Sequence, residues 1–253
     1  METDHDPARP GGGPMTQILL ALSGSDHWTL NDGTRHPTGY WAEEFVVPHS
    51  VFRDQGVDVV VATPGGVAPT VDRMSLHPSR AGGERRATAF RDYLDAIADD
   101  LARPMALEHA VGHVADYDAV FIPGGHGPME DLADFQPLGE LLVQFFDSGR
   151  VVAAVCHGPA GLLSADRPDG GWLFDGMHMT GFTDEEERLG GLADRAPWLL
   201  EDRLRERGAD FEAGPPWAPH VVVDGNLLTG QNPASSQAAA DRTLGELRVH
   251  EAR

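Results

Sequence analysis

The sequence contains a single cysteine, Cys156, among 253 residues. One cysteine cannot form an intramolecular disulfide, and a lone thiol is typical of proteins in a reducing cytosol. The chain also has no run of 18 apolar residues, so hydropathy predicts no membrane-spanning helix. We therefore expect a cytoplasmic protein that does not enter the membrane.

Basic residues are also scarce. The chain has 19 lysines and arginines against 40 aspartates and glutamates, which gives a formal net charge of −21. Nucleic-acid binding requires clustered lysine and arginine, and anionic membrane surfaces repel an acidic protein. The composition therefore argues against nucleic acid and membrane surfaces as partners. The excess acidity favours solubility and does not by itself identify a partner.

The chain is predicted to consist of one structured unit after a short tail. Residues 1–14 (METDHDPARPGGGP) lack the apolar core of a signal peptide and are predicted to be disordered. Residues 15–253 are long enough for a single large α/β domain. Within that domain, the polar segment 70–104 is predicted to be a cap-like insertion over the sheet.

Continuous apolar segments alternate with helical patterns along the chain. Gln17–Leu22, Val57–Ala62, Asp118–Ile122 and Val151–Val155 have the composition of strands covered on both faces, and Met177–Phe182 is a further strand candidate. Strands that alternate with helices predict a mostly parallel sheet with helices on both faces.

The cysteine lies where a predicted strand turns abruptly into a predicted helix. Val151–Val155 is followed directly by Cys156, His157 and Gly158, and Pro159 occupies a position that the first helical turn tolerates. Such a turn lifts a side chain above the carboxyl ends of the strands, where open α/β sheets bind ligands. The pattern is that of a nucleophile elbow with cysteine in place of serine.

Two interpretations of Cys156 compete. A free cysteine is most often an inert core residue. Here, however, an adjacent histidine and a helix N-terminus are present, and both lower the pKa of a thiol. The catalytic interpretation is therefore favoured.

A glycine-rich turn follows the strand at Asp118–Ile122. Gly124, Gly125 and Gly127 allow backbone N–H groups to approach a ligand closely. Together with an N–H at the elbow, they could bind a developing oxyanion, an interaction worth about 3–4 kcal/mol per donor. His126, in the same turn, either lines the pocket or is an ordinary turn residue.

An acidic pair, Glu43 and Glu44, opens a helix predicted from about Gly39, in which Pro48 marks a kink or the real helix start. Acidic residues in a first turn usually offset the helix dipole. The functional alternative is that one carboxylate hydrogen-bonds the sulfur of Cys156 or moves protons, and spacing does not decide between them.

Several other residues are predicted to be structural. Trp172, Trp198 and Trp217 are assigned to packing. His109 and His113 lie four residues apart, as metal ligands on a helix do, but their segment is polar and a solvated surface is the favoured interpretation. No metal site is predicted.

Five segments resemble the ThiJ/PfpI superfamily in sequence, order and spacing, over nearly the whole chain. They are TGYWAEE at 38–44, DAVFIPGGHGPMEDL at 118–132, VVAAVCHGPA at 151–160, TGFTDEEE at 180–187 and TGQNPASS at 229–236. The branch that they resemble is the glutathione-independent glyoxalase (glyoxalase III) and stress-chaperone branch, with its class I glutamine amidotransferase-like domain. The resemblance implies a flavodoxin-like three-layer sandwich and a homodimer.

The resemblance also implies residue roles. Cys156 corresponds to the nucleophile and His157 to the histidine beside it. Glu44 corresponds to the carboxylate that contacts the cysteine. Gly125 and the His157 amide correspond to the oxyanion-binding backbone.

A further acid is implied for orienting the histidine. Glu187 matches it, and Glu186 and Asp184 are alternatives. The implied reaction converts a small 2-oxoaldehyde such as methylglyoxal to D-lactate through a hemithioacetal and an enediol. It requires no metal or organic cofactor. A holdase chaperone, a redox sensor that oxidises Cys156 and a deglycase that acts on glycated adducts are the competing functions.

Overall fold

The computed structural model describes residues 16–251, so the predicted tail at 1–14 lies outside the described residues. The strands are β1 (Gln17–Ala21), β2 (His27–Thr29), β3 (Arg35–Pro37), β4 (Asp58–Thr63), β5 (Met105–Ala106), β6 (Ala119–Ile122), β7 (Val151–Val155), β8 (His178–Met179), β9 (Asp210–Phe211), β10 (Val221–Asp224) and β11 (Leu227–Gly230). The α-helices are α1 (Ala42–Asp54), α2 (Pro78–Ala81), α3 (Glu84–Ala96), α4 (Ala98–Leu101), α5 (Gly127–Asp131), α6 (Gln136–Asp147), α7 (Asp184–Gly190), α8 (Leu200–Glu206) and α9 (Ser236–Glu251).

Seven strands form the main sheet, in the order β10-β11-β7-β6-β1-β4-β5. Every neighbouring pair is parallel except β10 with β11, which form an antiparallel hairpin. Two smaller pairs, β2 with β3 and β8 with β9, lie outside this sheet. The pairing confirms a mostly parallel sheet.

Helices cover both faces of the main sheet. Along β1, Leu19 and Ala21 belong to one buried apolar cluster, and Ile18 and Leu20 belong to the other, because alternate side chains of a strand point to opposite faces. The first cluster includes apolar side chains of α6 and α8, and the second includes those of α1, α3 and α9. The sheet is therefore the middle layer of a flavodoxin-like α/β sandwich, as predicted.

One local expectation is wrong. The strand predicted at Met177–Phe182 is reduced to β8, because the N–H of Thr180 donates to Oγ1 of Thr229 and the N–H of Phe182 donates to the carbonyl of Cys156. Of the two alternatives given for Pro48, the start of a helix is excluded, because Pro48 lies inside α1, which begins six residues earlier at Ala42.

The predicted insertion at 70–104 contains α2, α3 and α4. Ala87, Phe90 and Leu94 of α3 are buried in the same apolar cluster as α1, so part of this segment packs beside α1. Within residues 16–251, none of the helices combines the length and apolar character needed to cross a bilayer.

The carboxyl ends of β6 and β7 and the start of α1 meet at one edge of the sheet. The N–H of Trp41 donates to the carbonyl of Gly124 at 3.0 Å, which joins the loop before α1 to the turn after β6. The N–H of Cys156 donates to the carbonyl of Gly230 at 2.8 Å, which joins the end of β7 to the end of β11. This edge positions the candidate site.

Candidate active site

Cys156 occupies a strained turn directly after β7. Its φ is +59°, in the left-handed region that L-residues other than glycine rarely adopt, and strain of this kind costs about 1–3 kcal/mol. Its N–H bonds the carbonyl of Gly230, and its carbonyl accepts the N–H of Phe182 at 2.8 Å. The segment behind it, Gly158–Ser164, is a 3₁₀-helix rather than an α-helix. The backbone on both sides therefore holds the thiol in one position.

Glu44 is the member of the acidic pair that reaches this thiol. Its side chain is fully buried, and its Oε2 accepts the N–H of Gly124 at 2.7 Å. Burial raises the pKa of this carboxyl well above its usual value, against the opposing effect of hydrogen bonds from Cys156 and Gly124. Glu43 points away and pairs with Arg86 at 2.6 Å.

Glu44 and Cys156 are both buried, and each affects the ionisation of the other. Burial raises the pKa of the thiol well above its usual value, the charge of Glu44 raises it further, and the N–H of Gly125 lowers it. Two negative charges in contact away from water are strongly disfavoured. At most one of the two groups is therefore ionised at a time, either the thiol or the carboxyl.

On the other side of the thiol, His157 lies between the sulfur and Glu187. Its Nδ1 is 3.4 Å from Sγ of Cys156, and its Nε2 is 2.7 Å from Oε2 of Glu187. Burial and the neighbouring His126 lower the pKa of His157 to about 4, so the ring is neutral at pH 7. Nε2 therefore carries the proton that binds Glu187, and Nδ1 is free to accept one from the thiol.

Glu187 is ionised. Burial opposes its charge, but the charge of His126 and hydrogen bonds from His126 and His157 hold the pKa of this carboxyl well below its usual range. The two alternatives lie elsewhere. Glu186 accepts the N–H and hydroxyl of Thr183 at 3.1 Å in a capping box, and Asp184 lies 3.6 Å from Arg188. Neither has a hydrogen bond to His157 among the described contacts.

The glycine turn does not supply every expected donor. The N–H of Gly124 is bound to Glu44, so the expectation that Gly124 binds an oxyanion is wrong, and a Cβ there would lie 2.6 Å from the backbone nitrogen of His157. Gly125 has a φ of +88° and donates its N–H to the sulfur of Cys156. Gly125 is therefore the remaining candidate in this turn for a backbone donor to an oxyanion.

His126 shares Glu187 with His157. Its Nε2 lies 3.0 and 3.2 Å from the two carboxylate oxygens, and its ring stacks on Trp28 with centroids 5.0 Å apart. His126, His157 and Glu187 offer ligand atoms within 4.8 Å of one another, and imidazole and carboxylate suit zinc. The N–O separations of 2.7–3.2 Å are those of hydrogen bonds.

Two aromatic residues beside the site were not predicted from the sequence. Phe182 packs on His157 with centroids 4.4 Å apart, and Trp217 packs on Phe182 at 5.6 Å. Trp217 was expected to be a packing residue, and it packs on Phe182 with only part of its surface, because 44% of it is exposed. A tryptophan between prolines in a polar segment is the sequence signal for this exposure. His109 and His113 are exposed, as predicted.

Several known proteins are similar to this chain in sequence, and solved structures are similar to it in fold. The glutathione-independent glyoxalase HSP31 of Saccharomyces cerevisiae is 31% identical over 240 residues, which cover 92% of this chain and 98% of the yeast protein. The crystal structure of glyoxalase III from Candida albicans has a TM-score of 0.76 at 29% identity and covers 92% of this chain and 98% of its own. The protein/nucleic acid deglycase HchA of Staphylococcus aureus is 25% identical over 240 residues, 93% of this chain and 79% of that protein.

The family assignment follows from these similarities and from the match of residues 38–244 to a family model. That match includes the elbow, both carboxylates and the glycine turn. The chain belongs to the DJ-1/PfpI family.

Proposed function

We propose that the protein is a cysteine-dependent, glutathione-independent glyoxalase that converts 2-oxoaldehydes such as methylglyoxal to 2-hydroxy acids such as D-lactate. The observation that carries the proposal is the buried thiol of Cys156, which lies between the buried Glu44 and the neutral His157. The activities named for the yeast and Candida relatives support it.

The first step is addition of the thiolate to the aldehyde. Glu44 takes the thiol proton, Sγ of Cys156 forms a bond to the aldehyde carbon C1, and the carbonyl π electrons move to oxygen. The oxygen then takes the proton from Glu44, which gives a hemithioacetal and restores the carboxylate. The amides of Gly125 and His157 are the proposed donors to the developing oxyanion.

The second step moves a proton between adjacent carbons. Nδ1 of the neutral His157 takes the proton from C1, the C2 oxygen becomes a hydroxyl, and the intermediate is an enediol. The histidine then returns its proton to C2. The C1 hydroxyl proton is lost as the C2 hydroxyl proton is gained, which gives the thioester of the 2-hydroxy acid. C1 is oxidised as C2 is reduced, so no external oxidant is required. Positioned proton transfer of this kind accelerates a reaction by about 10²–10⁴-fold. Glu187 holds the histidine in the tautomer that the step needs.

Water completes the reaction. It adds to the thioester carbonyl, the C–S bond breaks, and the sulfur leaves with a proton as the restored thiol of Cys156. The balance is one 2-oxoaldehyde and one water to one 2-hydroxy acid. The product carries a carboxylate and is easily measured.

The test is D-lactate formation from methylglyoxal without glutathione. We expect wild-type turnover, a loss of at least about 10³-fold in Cys156→Ala, and unchanged turnover in His109→Ala, an exposed control. The absence of D-lactate from the wild type, or full activity in Cys156→Ala, would contradict the proposal.

A deglycase activity is the second candidate, because the Staphylococcus aureus relative is named for it. It starts with the same attack by Cys156 on an aldehyde-derived adduct. Free methylglyoxal and a methylglyoxal-modified peptide, supplied separately, distinguish the two activities. A holdase role would survive Cys156→Ala, whereas a redox sensor would respond to peroxide at that thiol.

We also propose a cytoplasmic location and a homodimer. The single thiol suits a reducing compartment. The dimer is tested by light scattering, in which a chain of 27.2 kDa gives about twice that mass if it pairs.

A further inference from the structure

Trp217 is exposed and strained at the same time. It exposes 44% of its surface, although folding normally buries large aromatic side chains. Its φ is +61°, and within residues 16–251 the only other non-glycine residue with a positive φ is Cys156. Backbone strain of this kind concentrates at functional sites. Packing does not explain Trp217.

Buried polar side chains hold the backbone around this tryptophan. Oε1 of Glu186 accepts the N–H of Trp217 and the side-chain amide of Asn232, both at 2.8 Å. The same amide nitrogen donates to the carbonyl of Ala218 at 2.8 Å. Glu186 and Asn232 are fully buried. The indole is therefore presented to solvent from a fixed backbone rather than from a flexible loop.

A continuous series of rings connects the exposed indole to the site. The ring of Trp217 meets Phe182 edge to face, with centroids 5.6 Å apart. Phe182 is buried and tilts over the ring of His157 at 4.4 Å. The only ring between the solvent-exposed indole and the proposed base is thus Phe182. The edge-to-face geometry leaves an apolar surface of a kind that accepts a further ring.

We propose that Trp217, with Phe182, forms an apolar subsite for the substituent R of a 2-oxoaldehyde R–CO–CHO. The proposal rests on the proposed glyoxalase function and specifies its substrate class, 2-oxoaldehydes with an aromatic or branched substituent. The substituent takes no part in the chemistry, so the bonds formed and broken stay those given above, and phenylglyoxal plus water gives mandelate. A methyl group is too small to use the indole surface.

The experiment compares phenylglyoxal with methylglyoxal in four proteins. These are the wild type, Trp217→Ala, Trp217→Phe and the control Leu189→Ala, which removes another large apolar side chain that is 60% exposed. Initial rates are taken early, before phenylglyoxal modifies arginine side chains. The quantity measured is the ratio of kcat/KM for phenylglyoxal to that for methylglyoxal.

We expect Trp217→Ala to lower this ratio about 10-fold, equivalent to about 1.4 kcal/mol, mainly through the KM for phenylglyoxal. Trp217→Phe restores part of the ratio because it restores a ring, and Leu189→Ala leaves it unchanged. An unchanged ratio in Trp217→Ala, or equal losses with both aldehydes, overturns the subsite. Failure of the wild type to convert either aldehyde overturns the glyoxalase function itself, and the wild-type arm alone reveals it.

Discussion

Among the four acidic residues that open α7, Glu187 is the one whose described hydrogen bonds reach histidine side chains. Glu187 is buried and bonds both His126 and His157, whereas Glu185 is exposed in the same helical turn. Both carboxylates interact with the helix N-terminus to a similar degree. Only the loss of Glu187 removes the acceptor that fixes the tautomer of His157.

The first prediction compares substitutions of Glu187 and Glu185. In Glu187→Gln the amide can donate to Nε2 of His157, which places the ring proton on Nδ1 and removes the base, so kcat with methylglyoxal falls about 10²–10⁴-fold. Glu185→Gln removes the same charge and leaves kcat unchanged. Steady-state kinetics on both variants, with melting temperatures to verify folding, measure the effect. A kcat within threefold of wild type in Glu187→Gln would refute the assigned role.

The sequence predicts some residues of this site and leaves others undecided. The position of Cys156 in a strand-to-helix turn can be predicted from local sequence, because the buried strand, the turn and the proline all lie within ten residues. Glu43 and Glu44 cannot be told apart by spacing, since the phase of α1 depends on contacts with distant segments. The same limit applies to Trp217, whose strain is imposed by Glu186, 31 residues away.

At the scale of elements, α1 and α3 are joined by a buried polar contact. Nδ1 of His49 is 2.7 Å from the hydroxyl of Tyr93, and His49 is 6% exposed. Burial and the nearby Arg53 lower the pKa of His49 to about 4, against a smaller opposing effect of Asp100. The folded protein therefore holds this histidine neutral in a range where the unfolded chain protonates it.

The second prediction follows from the sign of that shift. The folded pKa of His49 lies below the unfolded value of about 6.5, so the unfolded state gains protons first, and stability is lost as the pH falls from about 6.5 to about 4. His49→Gln removes this titration. Between pH 7 and pH 5, we expect the wild type to lose about 2 kcal/mol more of its unfolding free energy than the variant does.

Urea unfolding at both pH values measures this difference. Tyr93→Phe is the matched control, because it removes the hydrogen bond to His49 but leaves the histidine to titrate. A wild-type pH dependence in His49→Gln would show that burial does not hold His49 neutral.

The sequence predicts strands correctly where both faces of the strand are buried. It fails where contacts with distant segments determine the local backbone. Apart from Gln17 at the start of β1, strands β1, β6 and β7 consist of apolar residues because both faces are covered, and their pattern predicts them directly. The strand predicted at 177–182 fails because its second half leaves the strand pairing to bond Thr229 and Cys156. The hairpin of β2 and β3 has no apolar alternation, so the polar run containing it gave no strand signal.

At the scale of the whole molecule, charge is the dominant feature. The chain has 40 acidic and 19 basic residues, which gives a net charge of −21. Even if every cation paired with one carboxylate, the excess carboxylates would have no basic partner. Exposed ion pairs such as Arg91–Glu84 and Arg167–Asp147 contribute little to stability, because water and salt screen them. Repulsion among the remaining carboxylates acts across the whole surface and opposes the compact state.

The third prediction is that salt stabilises this protein. Raising sodium chloride from 0.01 to 1 M shortens the screening length from about 30 Å to about 3 Å, which weakens the repulsion more than it weakens the few ion pairs. We expect the melting temperature at pH 7 to rise by about 2–4 °C, the shift that 1 kcal/mol produces in a chain of this size. The same series at pH 5 is the control, because protonated histidines and carboxylates reduce the net charge there and the salt effect shrinks. A melting temperature that falls with salt at pH 7 would mean that the ion pairs outweigh the excess of carboxylates.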